Sequence, residues 1–198
     1  FRRLIAQAAG VREEHLLSTE LFLYPRVRAV QTGLNGEFIV SPRLDDLQCV
    51  FACMEGFLAA KAGESVPVLT VFNNEEVGSN TRQGADSTFL TDVLERIADG
   101  CGLSREEWRA AVANSFMVSA DNAHAIHPAH PEYADQGEFP VLGGGVVIKY
   151  NANQRYTTDT VSAAVFQSIC RRADVPVQRY SNRADLPGGS TLGDISTA

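Results

Sequence analysis

No stretch of this 198-residue chain comes near the uninterrupted apolar length that a membrane-spanning helix needs, so no segment is expected to enter a bilayer. Basic residues are scarce beside acidic ones. The 17 Lys and Arg against 24 Asp and Glu give a formal net charge of -7, and no stripe of Lys or Arg gathers anywhere along the chain. Nucleic acid, which demands the opposite balance, is therefore excluded as an expected partner. Cysteine is sparse as well: Cys49, Cys53, Cys101 and Cys170 form no CxxC pair. A zinc knuckle or redox motif is set aside, and buried free thiols in a reducing cytoplasm are expected. Internal repeats and low-complexity tracts are missing, and so is the GxSxG turn of a nucleophilic serine. Neither GGG at 143–145 nor PGGSTLG near the end has phosphate-loop spacing, so these glycines read as places of close backbone approach. The opening FRRLIAQAAGV has two arginines ahead of an apolar run that is too short for a secretion signal, and it reads as a helix. The chain starts at Phe1 without a methionine and closes on Ile195, Ser196, Thr197 and Ala198, as expected of a piece of something longer.

What is present is an alternation of apolar runs and amphipathic segments. A chain of this length with 44% hydrophobic residues suits one domain better than two. ELFLYPRVRAV and GEFIV flank a turn-like Gly33-Leu34-Asn35-Gly36, and Pro25 restricts the first to an edge or irregular strand. LDDLQCVFACMEGFLAAKA places Leu47, Val50, Phe51, Met54, Phe57 and Leu58 on one helical face. VPVLTVF reads as a strand buried on both faces. STFLTDVLERIADG reads as a helix with Ser87 as cap and Gly100 as stop, and SREEWRAAVA as another with a Ser104–Glu107 capping box. SFMVSAD, GGGVVIKY, the helix TDTVSAAVFQSICRRA and the strand PVQRY complete the pattern. Strands alternating with helices predict a three-layer α/β/α sandwich with a mostly parallel central sheet.

That layout gives the acidic residues a common address. One run ends in Asp45 and Asp46, a second in Glu75 and Glu76, and a third in Asp121. Ligands of open α/β sheets bind beyond the carboxyl ends of the strands, so three segments deliver carboxylates toward one edge. Adjacent glutamates repel, and a bound cation offsets that repulsion. Carboxylates can bridge two divalent ions or hold each one, and an unligated one can take a proton from water. A metal-free glycosidase with two carboxylates also uses such a pair, but leaves the aspartates idle. Sensitivity to chelators separates the two readings.

Five motifs in this order, SPRLDDL, FNNEEVGS with QGADSTFL, SADNAHAIHP, VIKYNANQRY and PGGSTLGDIS, resemble the aspartyl aminopeptidases, from about Leu16 to the end. These are cytosolic exopeptidases with a co-catalytic pair of zinc ions and a zinc-exopeptidase-like α/β fold. The resemblance implies a metal-dependent aminopeptidase that removes amino-terminal residues, preferentially Asp or Glu, from peptides by a metal-activated water. Asp45 then corresponds to the bridging ligand, Glu76 and Asp121 to ligands of one ion each, and Glu75 to the general base. Lys149 and His124 correspond to substrate-binding residues, with Ser190 and Thr191 at the rim. Two divalent ions per site, with zinc the expected metal, and a homo-oligomer in the cytoplasm follow from the same resemblance. Residues 1–35 resemble the trailing end of an inserted dimerisation domain or a leading segment, and 36–198 the catalytic domain, incomplete at both ends.

Departures from the family pattern are equally specific. Asn73 stands where the family has Asp, and Ala129 where it has Asn. The family completes its two metal spheres with histidines far upstream and downstream, whereas this chain has none after His130, and His15 falls in the leading segment. His124, His127 and His130 do not replace them, because Pro128 and Pro131 forbid a helix that would align them. The isolated 198 residues are therefore expected to bind metal poorly and hydrolyse little. A catalytically inactive assembly or binding module retaining the fold is the alternative.

Overall fold

The computed structural model describes residues 1–61, 63–183 and 185. The chain divides into two compact units, Phe1–Leu44 and Asp45–Ala198. In the first, α1 (Arg2–Ala9) ends where Gly10 takes a left-handed φ of 68°. A hairpin follows, with β1 (Val30–Thr32) antiparallel to β2 (Phe38–Val40) and Gln31 opposite Ile39. Its turn is the Gly33-to-Gly36 segment read from the sequence. There, left-handed φ at both glycines, 98° and 69°, reverses the chain in a way that a side chain would resist. The expected strand ELFLYPRVRAV is not formed apart from Val30: residues 20–29, Pro25 among them, take no part in the hairpin, since Pro has no N–H to donate to a ladder.

In the second unit, helices follow the expected segments: α2 (Leu44–Ala59), α3 (Phe89–Gly100), α4 (Arg105–Ala113) and α5 (Thr160–Arg172). The capping box of α4 forms as read, Glu107 N–H donating to Ser104 Oγ and Ser104 N–H to Glu107 Oε2 at 2.8 Å. A second box, Asp159 with Ser162, starts α5. The start of α3 differs from expectation. Thr88 rather than Ser87 occupies the cap, and its hydroxyl donates to Asp92 at 2.7 Å, so no side chain caps the helix N–H groups.

Strand β3 (Val146–Tyr150) and strand β4 (Val177–Ser181) are parallel, with α5 as their crossover, the β-α-β unit on which the sandwich prediction rested. GGG at 143–145 makes that pairing possible. Gly145 has φ 106°, and a Cβ there would lie 2.2 Å from the Pro176 carbonyl oxygen, which instead accepts from Val146 N–H at 2.9 Å. The small core of this unit includes Ile148, Ala163, Cys170 and Tyr180.

Three expectations need correction. VPVLTVF and SFMVSAD form no strand among the described residues, because a doubly buried strand requires a hydrogen-bonded neighbour on each edge and none is supplied. The apolar face of α2 is not covered: Phe51 is 59% exposed and Leu58 71%. The four cysteines are free, but only Cys170 is buried, with Cys101 exposed at the end of α3. Among the described residues no helix is long and apolar enough to cross a membrane.

Candidate metal centre

Asp45 and Asp46 sit where backbone geometry departs from helical in the first turn of α2, and the peptide bond between them is cis. Asp121 lies in the irregular segment after α4. Carboxylate oxygens of Asp45, Asp46 and Asp121 lie within 4.8 Å of one another. Crowding of this kind shows in the acidity of the group most affected. The Asp45 carboxyl is pushed from an ordinary 3.8 up to about 6, first by partial loss of water around a side chain that still keeps much of its surface exposed, then by repulsion from, and hydrogen bonding with, Asp121. Asp46 is also raised by desolvation, a shift that hydrogen bonds from Cys49 and from Asn122 N–H counter. Glu76 contributes to the shift of Asp45, so its charge is felt at the cluster, though it does not belong to the three-carboxylate group.

The glutamate pair is held by a self-closing loop. Asn74 N–H donates to the Gln83 carbonyl at 3.2 Å, Gly78 N–H to the Glu75 carbonyl at 2.9 Å, and Asp86 N–H to the Ser79 carbonyl at 3.0 Å. Gly84 permits this closure, since a Cβ there would meet Ser79 oxygen at 2.1 Å. Asn74 and Thr81 lock the interior through an amide-to-hydroxyl bond of 3.0 Å. Phe72 packs edge-on against Phe89 at 6.5 Å, docking the segment before the loop onto α3. Glu75 is half-buried and Glu76 exposed at the start of this loop.

Lys149, from the carboxyl end of β3, donates to Asp121 Oδ2 at 2.8 Å and to the Asn122 carbonyl at 2.9 Å. With side chains 18% and 28% exposed, this is a partly desolvated ion pair, and it is the cation nearest the acidic cluster among the described ion pairs. The ammonium also lies 5.8 Å from the centre of the Tyr156 ring, which stands 6.5 Å from the Tyr180 ring. Tyr180 in turn stacks edge-on with His124 at 5.2 Å, its hydroxyl 3.3 Å from Nε2. Burial pushes both tyrosines above their ordinary acidity range, so both remain phenols. His127 and His130 lie apart from this group in an exposed ring stack closed by Tyr133. No histidine joins a metal-type cluster among the described residues.

The structure thus gathers Asp45, Asp121 and Lys149, sets Glu76 within electrostatic reach, and carries Glu75 on the same loop as Glu76. His124 is anchored to Tyr180. Ser190 and Thr191 lie outside the described residues. Sequence reasoning placed Asp46 among the converging carboxylates without assigning it a role, and passed over Asn122, Tyr156 and Tyr180. Asn122 had only its adjacency to Asp121 as a signal, and Tyr156 its place in VIKYNANQRY. Tyr180 had none.

An all-oxygen set of three converging carboxylates suits a divalent cation, whose charge would offset their repulsion. Together with the β-α-β unit it defines an α/β protein with an acidic centre fitted for divalent metal. The chain belongs to the M18 family, described as aminopeptidase I zinc metalloprotease, which matches residues 1–198. It is 46% identical over 194 residues to a probable M18 family aminopeptidase 2 of Clostridium acetobutylicum, covering 98% of this chain and 45% of that protein. A Mycobacterium leprae protein of the same description is 38% identical over 194 residues, covering 98% of this chain and 46% of that one. The chain therefore spans about half the length of the curated relatives it matches. Among solved structures, the S. cerevisiae mApe1 dodecamer shares 30% identity and a TM-score of 0.74, covering 91% of this chain and 43% of that one. An M18 aminopeptidase from Thermotoga maritima superposes with a TM-score of 0.82 at 24% identity over 96% of this chain and 44% of that one, a likeness of fold. The fold is the α/β exopeptidase fold of these aminopeptidases, in agreement with the sandwich expected from the sequence.

Proposed function

We propose that the protein is a metal-dependent aminopeptidase that removes amino-terminal residues from peptides, preferring Asp and Glu. The observation that carries this reading is the convergence of Asp45, Asp46 and Asp121 within 4.8 Å beside Lys149, on a chain of a zinc metalloprotease family. Asp45, Glu76 and Asp121 would hold two divalent ions, zinc in the first instance, with Asp46 beside them. Bound, such ions supply Lewis acidity that polarises a carbonyl and eases deprotonation of water. Glu75, half-buried and carried by a loop with its own hydrogen bonds, takes the proton from the attacking water and returns it to the departing amine. Lys149, with Tyr156 against its ammonium, forms the cationic wall for an acidic side chain, and His124, fixed by Tyr180, lines the neighbouring loop.

Residues 1–35 are read as the trailing end of an inserted dimerisation domain or a leading segment, and 36–198 as part of the catalytic domain. The dodecameric relative supports a homo-oligomer, and the cytoplasm is the proposed compartment. Because the described cluster offers oxygen ligands alone, these 198 residues by themselves are expected to bind zinc weakly and turn over slowly.

The test is zinc-dependent release of Asp or Glu from the amino terminus of a short peptide, comparing this chain with a version extended through further histidine ligands. Activity in the extended form that falls by about 10²–10⁴-fold in Glu75→Gln is expected. Cleavage by neither form while both are folded would replace this reading with a binding module.

A further inference from the structure

Three carboxylates on two different elements cannot stay together by their own forces. At the separations observed they repel, and nothing covalent ties the first turn of α2 to Asp121. One neutral residue makes the connection. Asn122 N–H donates to Asp46 Oδ1 at 3.2 Å, and the Asn122 side-chain carbonyl accepts from the Cys49 thiol at 2.8 Å. Its amide group reaches Gln48 Oε1 at 3.4 Å, and its backbone carbonyl accepts from Lys149 Nζ at 2.9 Å. A single residue next to Asp121 thus touches Asp46, Gln48 and Cys49 in α2, and the cation on β3.

The Cys49 thiol suits the task. It is half-buried, and its environment opposes ionisation, desolvation first and then Asp46 and Asp121, so that its pKa is pushed up to about 12 and it stays a neutral donor. A thiolate there would add a further negative charge to the cluster. The thiol donates to the Asn122 side chain and the Asn122 N–H to the Asp46 carboxylate, so the two residues form one chain of hydrogen bonds ending on Asp46.

We propose that Asn122, braced by Cys49, is a positioning residue that sets the spacing between the Asp45–Asp46 pair and Asp121 and thereby the affinity of the site for divalent metal. This inference rests on the metal-centre reading above. Outer contacts that orient ligands change metal affinity without touching the ion.

The measurement is calorimetric binding of Zn²⁺ to the intact protein, with the absorption spectrum of the Co²⁺-loaded form as a second readout of ligand geometry. Asn122→Ala is expected to weaken Zn²⁺ binding by about 10- to 100-fold and alter the Co²⁺ bands. Cys49→Val, which leaves the backbone contacts of Asn122 in place, should lose affinity in the same direction, whereas Cys49→Ser, which keeps a donor, should restore most of it. The double variant Cys49→Val with Asn122→Ala should be no weaker than Asn122→Ala alone, since both remove one connection. Wild-type affinity and unshifted Co²⁺ bands in Asn122→Ala, with only a lower melting temperature, would overturn the inference and leave the metal centre standing. If Asn122→Ala does not fold, Cys49→Val decides: unaltered affinity there overturns it. A wild-type protein that binds no divalent ion sinks both readings together.

Discussion

At the scale of single residues the acidic cluster has a calculable consequence for pH. The Asp45 carboxyl holds its proton up to about 6 in the folded chain against an ordinary 3.8. The folded state therefore binds that proton more tightly than the unfolded state. By linkage, this contribution to stability is full at low pH and is lost as pH rises from about 4 to about 6. Urea unfolding of chelated protein across that window should show this decline, and Asp45→Asn should remove it. Equal slopes for wild type and variant would contradict the assignment. Divalent metal must displace the same proton, so affinity should weaken as pH falls below about 6. The observed bond of Lys149 to Asp121 can be separated from its proposed role toward substrate. Its bond to Asp121 is independent of substrate, whereas a contact to an acidic amino-terminal side chain is not. Lys149→Met should lower kcat/KM for Asp-initiated peptides at least about tenfold more than for Leu-initiated ones. An equal loss on both would confine Lys149 to holding Asp121.

At the scale of elements, two helices with the same kind of cap differ in what the cap supports. Helix α4 buries none of its residues, whereas α5 buries Ala163 and Cys170. Removing either cap leaves backbone N–H groups unsatisfied at a cost of about 1 kcal/mol. In Ser104→Ala the loss should remain local, seen as faster amide exchange along α4 with little change in the global transition. In Asp159→Ala it should appear as a lower urea midpoint for the whole unit, because α5 cannot fray without opening the core. The reverse pattern would mean that α4 packs more firmly than its exposure indicates. These helices were legible in the sequence since their signals are local: a Ser or Asp before an apolar rhythm, with a partner three residues on. The cap of α3 was misjudged by one residue, because Ser87 and Thr88 are equivalent as sequence and differ only in how the preceding loop delivers the backbone.

At the scale of the whole molecule, apolar surface is the dominant feature. Within the unit Asp45–Ala198, Leu47, Phe51 and Leu58 on α2 and Val68 and Val71 on the run before the glutamates remain largely in water. Patches of this kind favour association. The protein should bind a hydrophobic dye strongly and associate with rising concentration, and Phe51→Asp with Leu58→Asp should reduce both without loss of helix. A monodisperse, dye-negative wild type would contradict this. Period and punctuation in the sequence determined the helices, the β-α-β unit, the glycine turns and the five motifs that carry the family resemblance, because those depend on neighbours a few residues away. Only the tertiary structure brought Asp46 beside Asp121, tied Lys149 to both Asp121 and Asn122, set Tyr180 against His124, and left the run before Glu75 without strand partners among the described residues. Each of these depends on which distant segment arrives alongside, and hydrogen-bond partners separated by 27 to 76 positions leave no periodic trace in the order of residues.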